Sequence, residues 1–370
     1  MKNSFGTNLQ ITVFGESHGP CIGIVLDGLP AGFSIDEKQI KHDMELRKPK
    51  GKTGTQRHEE DTIHIVSGFF NGYTTGSPLT ILIENKAQRS KDYAPLKYRL
   101  RPSHADWSAF EKYHGYQDYR GGGHFSGRLT APIVAAGSIC KQILNQKGVK
   151  IATHLEALYT LEDDAFSTKA EELDQQIDLL NEKQFPTLNE KKGEEMKTAI
   201  EQAALEKDSV GGILESAITH FPAGIGEPFF DSLESLLAHA LFSIPAVKGV
   251  SFGLGFDFAA KKGSEANDAL YAHDGRIETT SNNNAGINGG ISNGMPILIH
   301  TVIKPTASIF KAQKSVEYDT KENIELTIEG RHDPCIAHRA RIVVDSMIAF
   351  TLLDAWMSKA AKEEFEEETL

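Results

Sequence analysis

Two long segments that are apolar nearly all round, Leu129 to Leu144 and Ala340 to Trp356, constrain this chain most. A helix without a polar face cannot turn a side to water, so the first reads as a buried helix and the second as a long apolar one. Ala131, Ala135, Ala136 and Gly137 keep the first segment slim, and Pro132 fits its first turn, where a missing N–H costs nothing. No apolar run approaches the roughly 20 residues of a membrane span.

The remaining pattern is mixed. Leu9 to Phe14, Ile22 to Leu26, Thr62 to Phe69, Leu79 to Glu84, Gly211 to Phe221, Gly249 to Phe258, Pro296 to Ile303 and Asn323 to Ile328 read as strands. Ser34 and Glu37 have capping-box spacing before a helix carrying Ile40, Met44 and Arg47 and closed by Pro49. Thr168 and Glu171 repeat that spacing before Leu173, Ile177 and Leu180. A second amphipathic helix then carries Met196, Ile200, Ala203 and Ala204. This polar helical region, about 165–208, reads as a surface excursion. Ser232 to Leu241 is a further helix. Residues 88–124 have no clear period and are crowded with Tyr, Arg, His and Gly, as are few loops without a function. Ser281 to Gly294 is an Asn/Gly-rich loop.

A chain of 370 residues allows one large domain or two ordinary ones. Leu26-Asp-Gly-Leu-Pro-Ala-Gly32 is echoed by Ile218-Thr-His-Phe-Pro-Ala-Gly224, each after a strand and before a helix. Duplication of halves at about 1–150 and 210–360, and the coincidence of an ordinary Pro-Ala-Gly turn, are both open readings.

The formal net charge of −12 argues against general nucleic-acid binding, yet a pocket can still gather arginines for a small anion. Cys21, Cys140 and Cys335 are scattered and form no zinc pattern. They fit a reducing, cytoplasmic setting, and the polar Met1 to Gln10 offers no secretory h-region.

No phosphate-binding P-loop, dinucleotide fingerprint, nucleophile elbow or His-Glu-x-x-His is present. Polar clusters stand at loop positions instead. In Gly15-Glu-Ser-His-Gly-Pro20, glycines let the backbone approach a ligand, and His18 can exchange a proton near neutral pH. Arg101-Pro-Ser-His-Ala-Asp106 places His104 in a stiffened loop where Asp106 could orient an imidazole. Tyr119-Arg-Gly-Gly-Gly-His-Phe-Ser-Gly-Arg128 leads into the buried helix. Its glycine N–H groups, the helix start, Arg120 and Arg128 together suit an anion. Lys304-Pro-Thr-Ala-Ser308 ends a strand in a cation and two hydroxyls. Gly330-Arg-His-Asp-Pro-Cys335 supplies Arg331 as an anion ligand and Asp333 as a base. Arg47, Lys52 and Arg57 form a further basic group. A hinge, a surface salt bridge or a solvated face is the plain alternative for each cluster taken alone.

Together these clusters, with Thr55-Gln-Arg57 and Ser243-Ile-Pro-Ala-Val-Lys-Gly249, closely resemble the chorismate synthase family from Gly6 to about Trp356. The resemblance implies an α+β fold, a β-α-β sandwich with a helical layer between antiparallel sheets, assembled as a homotetramer. It implies a carbon–oxygen lyase that removes phosphate from 5-enolpyruvylshikimate 3-phosphate by trans-1,4 elimination, the last common step of the shikimate pathway. Reduced FMN is required and not consumed.

By position, the resemblance makes His18 the acid at the leaving phosphate, His104 the group that protonates the reduced flavin, and Asp333 a partner in removing the ring proton. Arg47, Lys52, Arg128 and Arg331 become substrate ligands. FMN would lie against His124, Phe125, Ser126, Ala246, Gly286, Lys304, Pro305, Thr306, Ala307, Ser308 and Arg331.

The chain departs from the common family pattern at His124 to Arg128, where many members have Arg-Ser-Ser-Ala-Arg. Pro245 replaces a frequent Asn and Asp345 a frequent Glu, and Lys52 stands near where the family often has Arg. Some members reduce their flavin with NADPH and others borrow it. With no dinucleotide fingerprint, borrowing from a separate reductase is expected here. A flavin- or nucleotide-binding module without chemistry would leave His18, His104 and Asp333 idle. A phosphohydrolase would use the same arginines and histidines.

Overall fold

The computed structural model describes residues 2–51, 54, 61–86, 97–273, 275–328, 330 and 332–369. Two five-stranded antiparallel sheets enclose a layer of helices. The first contains β1 (Ser4–Phe5), β2 (Gln10–Gly15), β3 (Cys21–Asp27), β4 (Ile63–Ser67) and β5 (Leu79–Glu84), in the order β1-β2-β3-β5-β4. Period-2 alternation puts Ile22, Ile24 and Leu26 opposite Ile83, Ile81 and Leu79 on one fully buried face. The second contains β6 (Lys150–Leu158), β7 (Leu161–Glu162), β8 (Gly212–Thr219), β9 (Val247–Phe252) and β10 (Ile297–Ile303), in the order β9-β10-β8-β6-β7.

The helices between the sheets are α1 (Glu37–Arg47), α3 (Thr130–Gln146), α6 (Leu233–Phe242) and α7 (Ala337–Thr369). α3 packs on β3 and β5, α7 on β6 and β8, and the two pack on each other. They cross so closely that a Cβ on Gly137 would stand 2.2 Å from Cβ of Ser346. This explains the small residues of the first apolar segment. The second helix runs further both ways than the apolar stretch, because charged residues after Trp356 continue it without needing burial. No helix among the described residues is long and apolar enough to cross a membrane.

Three sequence expectations need correction. α1 is capped by Asp36, which accepts Lys38 N–H at 2.8 Å, not by Ser34, which bridges to Tyr73. The helix α4 (Ala170–Glu182) starts after Lys169 without a side-chain cap, and Ser167 bonds Glu172 instead of Thr168 bonding Glu171. The region without a clear period contains α2 (Asp106–Tyr113), whose buried side holds only Ala109 and Phe110. The excursion is α4 and α5 (Glu190–Leu205); α4 lays Leu173, Ile177 and Leu180 on Ala152 and Ala217 of the second sheet.

The two sheets share a local construction. Leu26 pairs with Leu79 in one and Ile218 with Ile297 in the other. After each strand comes a left-handed residue (Gly28, φ 93°; His220, φ 59°), then Pro-Ala and a left-handed glycine (Gly32, φ 91°; Gly224, φ 85°). Thr74 Oγ1 donates to Pro30 O at 2.7 Å and accepts Phe33 N–H at 2.9 Å. Ser292 Oγ does the same to Pro222 O at 2.6 Å and Ile225 N–H at 3.0 Å.

Candidate active site

The ends of β2, β9, β10, α1 and α7 and the segment 97–130 surround a cavity of about 920 Å³. Arg47, Arg101, His104, Arg128, Lys248, Lys304, Asp333 and Arg339 all line it. It lies within the 300–1,000 Å³ range usual for small-molecule sites.

The glycine run forms one wall. Gly121, Gly122 and Gly123 have φ of 59°, 82° and 52°, which side chains rarely adopt. The run folds over His18: a Cβ on Gly121 would stand 2.3 Å from the imidazole Cε1. His18 therefore sits behind Gly121, which lines the cavity, and is not itself among the lining residues. Ser17 N–H donates to Gly123 O at 3.1 Å, and His124 Nδ1 donates to Gly15 O at 2.8 Å. His124 thus fastens the His18 loop to the glycine run. Ser126 caps the next turn by accepting Arg128 N–H at 3.3 Å. Phe125 is 45% exposed at the cavity edge.

Arg128 and Arg47 share a carboxylate that the sequence reading passed over. Asp61 accepts Arg47 Nη2 at 2.6 Å through Oδ2 and Arg128 Nη1 through Oδ1. Arg128 Nε also donates to Asn85 Oδ1 at 3.1 Å, and Asn85 Nδ2 donates to Glu16 O and Gly19 O. Burial pushes the Asp61 carboxyl up, but the two guanidiniums outweigh it and hold the group below its ordinary range.

Opposite stand His104 and the strand end after β10. Asp106 does not orient His104 as the sequence suggested. It accepts Arg101 Nε at 2.8 Å and Nη2 at 2.7 Å, a bidentate pair that consumes both oxygens. His104 Nε2 instead shares a 2.7 Å hydrogen bond with Ser308 Oγ. Burial, aided by the charges of Arg101 and Lys304, pushes the His104 imidazole down to about 4. Burial and the neighbouring Lys248 also lower Lys304, whose Nζ donates to Ser103 O at 2.8 Å. Ala246 (φ 75°) accepts Lys304 N–H at 3.0 Å and lines the cavity with Pro305, Thr306 and Ala307.

Asp333 lines the cavity and meets Arg339 Nη2 at 2.5 Å. Arg120 turns away to Asp118 with bonds of 2.8 and 2.7 Å, and so does not serve as the cavity cation expected of it. Gly286 is not among the lining residues; its N–H is bonded to Asn282 Oδ1. Lys52, Arg57 and Arg331 lie outside the described residues. Among the described residues no group of His, Cys, Asp and Glu could hold a metal ion. Besides Asp61, the sequence reading missed Asn85 and Arg339, and it named Lys248 only as part of the Ser243 to Gly249 motif. Asn85 carries no spacing signal because its partner Arg128 is remote in the chain, whereas Arg339 pairs with Asp333 only six residues earlier.

A family model described as chorismate synthase matches residues 9–357. A chorismate synthase of Dehalococcoides mccartyi is 45% identical over 355 residues, 96% of each chain. One from Pyrococcus abyssi is 44% identical over 349 residues, covering 94% of this chain and 96% of that one. A crystal structure of a chorismate synthase superposes with a TM-score of 0.75 at 29% identity, covering 96% of this chain and 93% of the other. Its β-α-β layering, the cavity between its sheet ends and these matches over nearly its whole length lead to one conclusion: the chain belongs to the chorismate synthase family, whose members are lyases.

Proposed function

We propose that the chain converts 5-enolpyruvylshikimate 3-phosphate to chorismate and inorganic phosphate with the help of reduced FMN. The observation that carries this reading is the convergence of Arg47, Arg128, His104 and Asp333 on one cavity. The substrate's two carboxylates and phosphate call for several fixed cations, and its elimination calls for separate proton donors and acceptors.

The residues fit a flavin mononucleotide. Thr306 Oγ1 and Gln117 Oε1 are buried at the cavity without a hydrogen-bond partner among the described residues, as a polar ligand would require. Phe125 offers an aromatic face, and Lys304, Ser126, Ala246, Pro305 and Ala307 complete the contact. Ser308 would act through His104, and His124 through the loop it fastens. When bound, reduced FMN would supply reversible electron density for the carbon–oxygen cleavage.

Arg47 and Arg128 hold substrate anions, joined by Lys52 and Arg331 from outside the described residues. His18, behind the glycine wall, is the acid for the leaving phosphate. His104, held by Ser308, is the group that protonates the reduced flavin. Asp333, steadied by Arg339, takes part in removing the ring proton.

The enzyme works in the cytoplasm with flavin reduced elsewhere, since no dinucleotide fingerprint stands in the sequence. It assembles as a homotetramer, a reading supported by the unusual exposure of Phe229, Phe230 and Phe256 (85–93%). The whole chain is one domain built from two copies of a unit, which the matched Thr74 and Ser292 hydrogen bonds support.

The test is anaerobic turnover with oxidised and with dithionite-reduced FMN. Chorismate should form only with the reduced cofactor, without net oxidation. Equal rates would overturn the assignment, and phosphate released with an alcohol would point to a phosphohydrolase.

A further inference from the structure

Asp61 has a placement that no surface carboxylate shares. Its side chain is fully buried, and its two oxygens face different arginines, Arg47 from the end of α1 and Arg128 from the approach to α3. Its backbone is left-handed (φ 45°), a conformation disfavoured for side chains and kept only where surroundings over-determine it. Both arginines line the cavity.

We propose that Asp61 is a positioning residue, fixing Arg47 and Arg128 in one fork at the cavity wall where an anionic group of the substrate is received. The proposal rests on the reading of Arg47 and Arg128 as substrate ligands. Two physical effects then oppose each other. The negative charge of Asp61 weakens the pull of both arginines on an anion, so it does not serve ground-state affinity. Its bonds remove rotamer freedom from two long side chains, so it serves alignment in the transition state. A residue of this kind has a kinetic signature opposite to that of an anion ligand.

The experiment compares wild type, Asp61→Asn and Asp61→Glu in full chains with reduced FMN, reading kcat and KM for 5-enolpyruvylshikimate 3-phosphate and the melting temperature. Asp61→Asn should lower kcat by roughly 10-fold or more while KM stays level or falls. Arg47→Ala and Arg128→Ala should instead raise KM. Asp61→Glu, which returns the charge on a longer arm, should recover part of kcat. In an Arg128→Ala background, Asp61→Asn should change kcat much less than in wild type, because a device acting through Arg128 has lost half of its object.

Wild-type kcat in Asp61→Asn, a raised KM with kcat unchanged, or fully additive effects with Arg128→Ala would overturn the proposal. If Asp61→Asn does not fold, Asp61→Glu decides: a folded Glu variant with wild-type kcat overturns it, and a folded one with reduced kcat at level KM supports it. A wild-type enzyme that does not turn over this substrate defeats the functional reading itself, an outcome separate from failure of the Asp61 variants in an active enzyme.

Discussion

His104 Nε2 and Ser308 Oγ share a hydrogen bond of 2.7 Å across more than two hundred residues of chain, joining the loop before α2 to the strand end after β10. This contact, and not Asp106, fixes the imidazole. The low proton affinity of His104, about 4, follows from burial beside Arg101 and Lys304. In the ligand-free enzyme His104 is therefore neutral at pH 7. An anionic ligand in the cavity should raise its affinity toward the range where it can carry a proton. Titration of the His104 Cε1 proton by NMR should give a midpoint near 4 for free enzyme and a higher one with FMN. A midpoint that does not move would contradict the role.

The same shift has a consequence for stability. The unfolded chain binds this proton near pH 6.5, the folded chain only near 4. The His104 contribution to stability is whole above pH 6.5 and falls as the pH drops through the window down to 4. His104→Gln should flatten that acid limb in denaturant titrations at pH 4.5, 5.5 and 7, and Ser308→Ala should leave it in place.

Loss of a general acid or base costs roughly 10²-fold or more. His18→Ala and His104→Ala should each reach that loss while melting normally, because both histidines sit in loops. For Asp333→Asn the loss should fall on kcat, and for Arg331→Ala on substrate and FMN binding. Near-normal turnover of either histidine variant would make that residue structural.

His124 bonds Gly15 O and meets Asn3, so its contribution to FMN is expected to be indirect. FMN titrations of His124→Ala, Phe125→Ala and Arg128→Ala should rank His124→Ala the least damaging. If it is the most damaging of the three, the flavin contacts drawn here are wrong.

His154 lies fully buried between Asp163 Oδ2 at 3.0 Å and Glu215 Oε2 at 2.9 Å. Burial lowers its proton affinity, but the two carboxylates raise it further, so the folded value stands above the unfolded one. Its stabilising contribution is complete below pH 6.5 and is lost as the pH climbs through the folded value. His154→Leu should cost about 3–5 kcal/mol near neutrality, because it strands buried carboxylates. Its loss between pH 6 and pH 9 should be smaller than that of wild type. Equal alkaline loss in both would assign the effect elsewhere.

The sequence made the buried helices and the strands legible because burial imposes a period on side chains, as at Ile22, Ile24 and Leu26. It also made His18, His104 and Asp333 stand out, since each sits in a compact loop motif. Helix α2 escaped because only Ala109 and Phe110 face inward, too few to set a period. Asp61 escaped because its meaning lies in two arginines from other elements. The caps at Ser34 and Thr168 misled because spacing alone does not decide which hydroxyl or carboxylate reaches the first free N–H.

The matched Thr74 and Ser292 staples cast a different light on the turns that follow β2 and β6. The first, residues 16–20, is short and holds His18 against the glycine wall. Its counterpart, residues 159–211, opens into α4 and α5, and none of those residues lines the cavity. On the proposed role of His18, chemistry and cladding thus occupy corresponding turns of two similar sheets. Shortening the second turn would strip Leu173, Ile177 and Leu180 from Ala152 and Ala217. The chain would keep the residues that line its cavity and acquire a sticky flank.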